Sequence, residues 1–122
     1  MGYAAHWTGE VTITPPLTWA EIRNSTHLSD LQLRLEETVH DTETGRTTVT
    51  TAVAIEPIGM GPYNGYDVDV QLQMLVDAYP THEFEGMIHA VPEDPGGSPW
   101  RYVIRDRRVV RQMPVAEWRD AD

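Results

Sequence analysis

The sequence predicts an α+β fold: an antiparallel sheet of five to six strands with two helices on one face, in the order β-α-β-β-α-β-β-β. Three observations predict it. Six stretches carry strand signals, apolar residues on alternate positions or a high density of β-branched residues. One stretch, 68–79, repeats its apolar residues at helical spacing through three turns. Glycine and proline cluster between most of these stretches, where turns belong. The first six elements match the split β-α-β, ferredoxin-like arrangement. Two helices against one face of such a sheet make a two-layer core, although a strongly curled sheet wrapped around the single long helix fits the same pattern.

The first strand is HWTGEVTIT, residues 6–14, where Trp7, Gly9, Val11 and Ile13 alternate with Thr8, Glu10, Thr12 and Thr14. Pro15 and Pro16 are expected to end it. In LTWAEI, Thr18 is a natural N-cap and Glu21 stands three residues on, a capping box. Leu17 and Ile22 are placed for the hydrophobic staple, so 18–24 is a short helix that Asn24 and Ser25 break. Leu31, Leu33, Leu35 and Val39 then share one face of a second strand, with Gln32, Arg34, Glu36 and Thr38 on the other. DTETG, 41–45, is a turn into RTTVTTAVAIEP, where Val49, Val53 and Ile55 are read as one alternating face of a third strand.

IGMGPYNG, 58–65, interrupts the periodicity. Behind it Val68, Leu72, Leu75, Val76 and Tyr79 form one apolar stripe of the main helix, with Asp67 and Asp69 at its positive end and Pro80 as its stop. Three strands follow: EFEGMIHAV, WRYVIRD and RRVVRQM. PEDPGGSP, 92–99, joins the first two, and Asp106-Arg107 is the tight turn between the last two. The glycines inside WTGEVTI and FEGMIHA predict a bulge or a close backbone approach.

One domain suits 122 residues, with a short tail expected from about 114. The absence of cysteine excludes disulfides, thiolate nucleophiles, iron–sulfur clusters and cysteine-ligated zinc. All nine basic residues are arginine, a usage that hints at a GC-rich source. No long apolar run suggests a membrane span, and MGYAAHWTGEV has no basic n-region of a secretory signal, so a cytoplasmic protein is expected. The formal net charge is −10; residues 1–100 hold 15 acids against 3 arginines, and residues 101–122 hold 6 arginines against 4 acids. Such a body repels nucleic-acid phosphate and anionic membrane.

The stretch most like a site is PEDPGGSPWRYVIR, 92–105. A phosphate loop delivers backbone N–H groups at a helix start. Here the glycines lead into a strand and two acids stand beside them, so the loop is read as a connection. The histidines, 6, 27, 40, 82 and 89, lack helical zinc spacing; His89 and Glu85 share a strand face but want a third ligand. Glu36 and Glu37 point to opposite faces, and Ser98 has no nucleophile-elbow context. No enzyme, cofactor or metal site is expected. Nine Trp and Tyr residues are many for one small domain. Tyr63, Tyr66, Trp100, Arg101, Arg105 and Trp118 are the expected contact residues, because Trp, Tyr and Arg anchor interfaces.

With ITPPLTWAEI, TAVAIEP, LVDAYPTHEFEGMI and WRYVIRDRRVVR side by side, the chain resembles a group of short uncharacterised proteins of actinobacteria and their phages. It departs from the group's pattern at Arg107, where glycine is usual, and around PEDPGGSP. The resemblance implies origin and fold, and no activity. The functional expectation is a small acidic, non-catalytic interaction or regulatory protein with a protein partner, which self-associates through an exposed strand or its aromatic tail. Two alternatives stand beside it. One is a small-molecule-binding module near 58–66 or 92–100, with Arg101 or Arg105 as anion contacts. The other is a DNA-mimicking inhibitor, prompted by the acids of residues 1–100.

Overall fold

A computed structural model describes residues 4–25, 28–59 and 61–114. The elements follow the expected order: β1 (Ala5–Leu17), α1 (Trp19–Arg23), β2 (Leu31–Thr42), β3 (Gly45–Pro57), α2 (Val68–Ala78), β4 (Glu83–Pro92), β5 (Trp100–Arg105) and β6 (Arg108–Gln112). The six strands form one open sheet in the order β2-β3-β1-β4-β5-β6, every neighbouring pair antiparallel.

The core lies on one face of this sheet. Trp7, Val11, Ile13 and Leu17 of β1 and Phe84, Ile88 and Ala90 of β4 point into it. So do all five residues of the α2 stripe, Val68, Leu72, Leu75, Val76 and Tyr79. Ile22 of α1 packs against the same cluster, and the Tyr79 hydroxyl donates to the Glu21 carbonyl at 3.0 Å, which joins the two helices on that side. The capping box forms as expected: the Glu21 N–H donates to the Thr18 hydroxyl, and the Thr18 N–H donates to the Glu21 carboxylate. That backbone donor, with buried His82 beside it, holds the Glu21 carboxyl below its usual range.

Three local expectations need correction. β1 does not stop at Pro15 but runs to Leu17; the prolines sit where pairing with β4 has ended at Thr14 and the β3 register skips from Thr12 to Leu17, so no ladder N–H is missed. Val49, Val53 and Ile55 do not share a face. Val53 is the extra residue of a bulge between the Arg34–Ala54 and Leu35–Ala52 pairs, which puts Val49 on the opposite face from Ile55. Leu35 and Val39 keep the parity of Leu31 but are about half exposed, because β2 and β3 continue past the rest of the sheet as a two-stranded ribbon.

The glycines inside β1 and β4 are close approaches. Gly9 and Gly86 have φ of +99° and +137°, and a Cβ on Gly86 would overlap the Glu10 carbonyl oxygen. At the β5–β6 turn Asp106 and Arg107 both take positive φ, 50° and 65°. Arginine is strained there, yet its guanidinium donates to the carbonyls of Val76, Tyr79 and His82 at 2.5, 3.1 and 2.7 Å, closing the end of α2. Arg107→Ala keeps the strained φ and loses those bonds, so it is expected to cost about 2 kcal/mol. Arg107→Gly loses the same bonds but relieves the backbone, and urea unfolding should find it about 1 kcal/mol more stable than the alanine variant.

Candidate functional site

A cleft of about 480 Å³ opens where the 61–67 segment, the first turn of α2, the β4–β5 connection and the ends of β5 and β6 meet. Trp100 and Tyr102 line it, and both belong to an aromatic cluster centred on Trp7, which packs behind them. The Trp7 indole stacks on Tyr63 at 5.8 Å, lies parallel to Tyr102 at 6.3 Å and meets the Trp100 ring edge-on at 5.7 Å. Its N–H donates to the Tyr63 carbonyl at 2.9 Å. Backbone pairing of Ala5 with Tyr63 clamps the 61–67 segment to β1, and the Tyr63 hydroxyl donates to the Asp30 carbonyl at 2.8 Å. Burial pushes the Tyr63 phenol up to about 12.

Polar groups of both signs line the same cleft. Asp69 comes from α2 and Asp94 from the β4–β5 connection, where Asp94 also accepts from the Gly96 and Gly97 N–H groups. Arg111 lies 5.2 Å from the Trp100 ring centre, a cation–π contact. Burial, and then the Asp69 charge, raise the Tyr102 phenol. Tyr66 stands on the rim with 67 % of its surface exposed.

The two stretches singled out in the sequence, 58–66 and 92–100, therefore border one cleft, and the glycine connection is both a turn and a wall. Of the expected contact residues, Tyr66 and Trp100 come together there. Tyr63 does not line the cleft; it packs on Trp7 behind it and bonds the Asp30 carbonyl. Arg101 and Arg105 project from the opposite sheet face, Arg101 bonding Gln112 at 2.7 Å. Trp118 lies outside the described residues. Sequence reasoning missed Arg111, Tyr102 and Asp69. Arg111 was readable in principle: it shares parity with Val109, so in a strand whose Val109 packs inward it stands on the helix side, opposite Tyr102.

A second concavity of about 390 Å³ lies between α1 and α2, but its carboxylate, Glu21, is already held by Thr18 and His82. Among the described residues no three His, Asp or Glu side chains converge in a metal-binding arrangement. His89 and Glu85 do share the open face of β4, with Met87 between them. No described helix is long and apolar enough to cross a membrane.

Fold and cleft define a class: an α+β protein built on a six-stranded open antiparallel sheet, with an aromatic cleft on the helix side. The chain belongs to a family of unknown function, DUF6205, whose model matches residues 1–122. No curated protein and no solved structure matches it.

Proposed function

We propose that this is a small acidic, non-catalytic interaction or regulatory protein of the cytoplasm, of actinobacterial or phage origin, whose aromatic cleft receives side chains of a protein partner. One observation carries the reading: exposed Tyr66 faces the same cleft as Trp100 and Arg111. Exposed Tyr beside Trp and Arg at a concave, rigid site is the make-up of an interface anchor. Trp100 and Tyr102 are backed by Trp7, which is itself bonded to the Tyr63 carbonyl, so these two side chains have little entropy left to lose on binding. The strand order β2-β3-β1-β4, antiparallel throughout, supports the split β-α-β reading of the first six elements.

A specific observation also favours a small-molecule ligand: the cleft volume falls within the roughly 300–1,000 Å³ of such sites. DNA mimicry gains less support, since Arg34 pairs with Glu10, Arg46 with Asp41, and three arginines share the open face with the acids.

The test compares the wild-type chain with Tyr66→Ala and Arg111→Ala. Immobilised wild type should retain a partner from host lysate that Tyr66→Ala retains at least about tenfold less well. A small molecule should instead raise the melting temperature of the wild type and leave that of Tyr66→Ala unmoved. Equal retention by wild type and variant, or no partner and no thermal shift at all, overturns the proposal.

A further inference from the structure

The sheet face turned away from the helices is divided by charge, and we propose that it is the contact surface of a two-fold homodimer. On that face β4 presents Glu83 and Glu85, while β5 and β6 present Arg101, Arg105 and Arg108; Glu10 of β1 is already paired with Arg34 of β2. Two residues along each strand from Glu85, Arg105 and Arg108, an apolar row runs across three strands: Met87 pairs with Val103, and Val103 with Val110. Met87 and Val110 are 38 % and 37 % exposed, and Val103, between them, is 8 % exposed.

A second copy fits this pattern by symmetry. Place a two-fold axis parallel to the strands, between β4 and β5, and stack two open faces. Each β4 then faces the partner copy's β5, and each β1 the partner copy's β6. Met87 of one copy meets Val103 of the other, and the glutamates of β4 meet the arginines of β5 and β6, twice over. Growth through two β6 edges is disfavoured: β6 carries Arg108 and Arg111 beside Arg107, so two such edges would bring arginines together. Four strands give a footprint of roughly 20 by 20 Å per copy, below the roughly 800 Å² per partner of tight complexes. A dimer that forms in the micromolar range and loosens with salt follows from that area and those charges. Stacking of the open faces leaves the aromatic cleft, on the helix side, free in both copies.

Sedimentation equilibrium of the full chain from about 1 to about 100 μM tests this. The wild type is expected to pass from one to two times 13.8 kDa across the series. Glu83→Arg with Glu85→Arg, and separately Arg105→Glu with Arg108→Glu, should each weaken association at least about tenfold by opposing like charges. All four positions are exposed, and circular dichroism checks that both variants stay folded. An equimolar mixture of the two variants, one carrying acids on both halves and the other arginines, should dimerise again. A wild type that stays monomeric throughout, reversals that leave its association unchanged, or a mixture that stays monomeric would each overturn the proposal.

Discussion

Gly86→Ala is expected to abolish soluble folded protein, and Gly45→Ala to leave it folded with a lower melting temperature. The two glycines have nearly the same backbone, φ of +137° and +138°. An L-residue is strained at either, and the strain alone costs about 1–3 kcal/mol. Their surroundings differ. Gly45 is the first residue of β3, where a Cβ would meet nothing within 4 Å, whereas at Gly86 that atom would overlap the Glu10 carbonyl. Gly86 pairs with Val11, and two residues away Gly9 pairs with Ile88 and is crowded in turn by the Met87 carbonyl. Each strand thus leans its backbone into the space left by the other's missing side chain. Prying them apart disturbs the central β1–β4 pair on which the core face is built. The loss should exceed about 4 kcal/mol, a large share of the 5–15 kcal/mol that holds a domain together. Soluble yield and urea midpoints for both variants decide it; equal effects at the two positions would show that φ, not backbone contact, sets the requirement.

The parts of the fold legible in the sequence are those in which local chemistry and tertiary structure ask for the same thing. The stripe from Val68 to Tyr79 is buried at each of its five positions because a helix on a sheet needs one apolar face. The Thr18–Glu21 box needs only its own residues. The failures occur where a distant element decides. Leu35 and Val39 alternate as a buried strand would, but how far α2 and β1 extend over the sheet is invisible to that alternation. A one-residue bulge at Val53 has no local signature among β-branched neighbours, and it reverses the side on which Val49 lies. Arg107 breaks a local rule by taking positive φ, and its reason lies 28 and 31 residues back, at Tyr79 and Val76. The cleft was legible in pieces. Tyr66 and Trp100 were the right residue types, and the β5–β6 hairpin was expected, but its register, which sets Arg111 opposite Tyr102 and over Trp100, was not.

Trp7→Ala should be the most damaging change within the aromatic cluster, lowering stability by about 3–5 kcal/mol, roughly 12–20 °C in melting temperature for a chain of this size. The indole is 8 % exposed and touches the elements that build the cleft: Tyr63 before α2, and Trp100 and Tyr102 on β5. Gly65 lies so close to it that a Cβ there would strike the ring. Removing the ring leaves a void between sheet and loop that neither can fill, because Ala5 and Asp30 already hold Tyr63 in place. Trp7→Phe separates the two contributions of the indole. It keeps a ring for stacking and gives up one hydrogen bond to the Tyr63 carbonyl, which still accepts from the Ala5 N–H at 3.0 Å. That variant should lose only about 1–2 kcal/mol and keep whatever binding the cleft supports, while Trp7→Ala should lose binding along with stability. Were Trp7→Ala to melt within a few degrees of the wild type, the wall would be held by the loop's own hydrogen bonds, and the cleft would not depend on the β1 tryptophan at all.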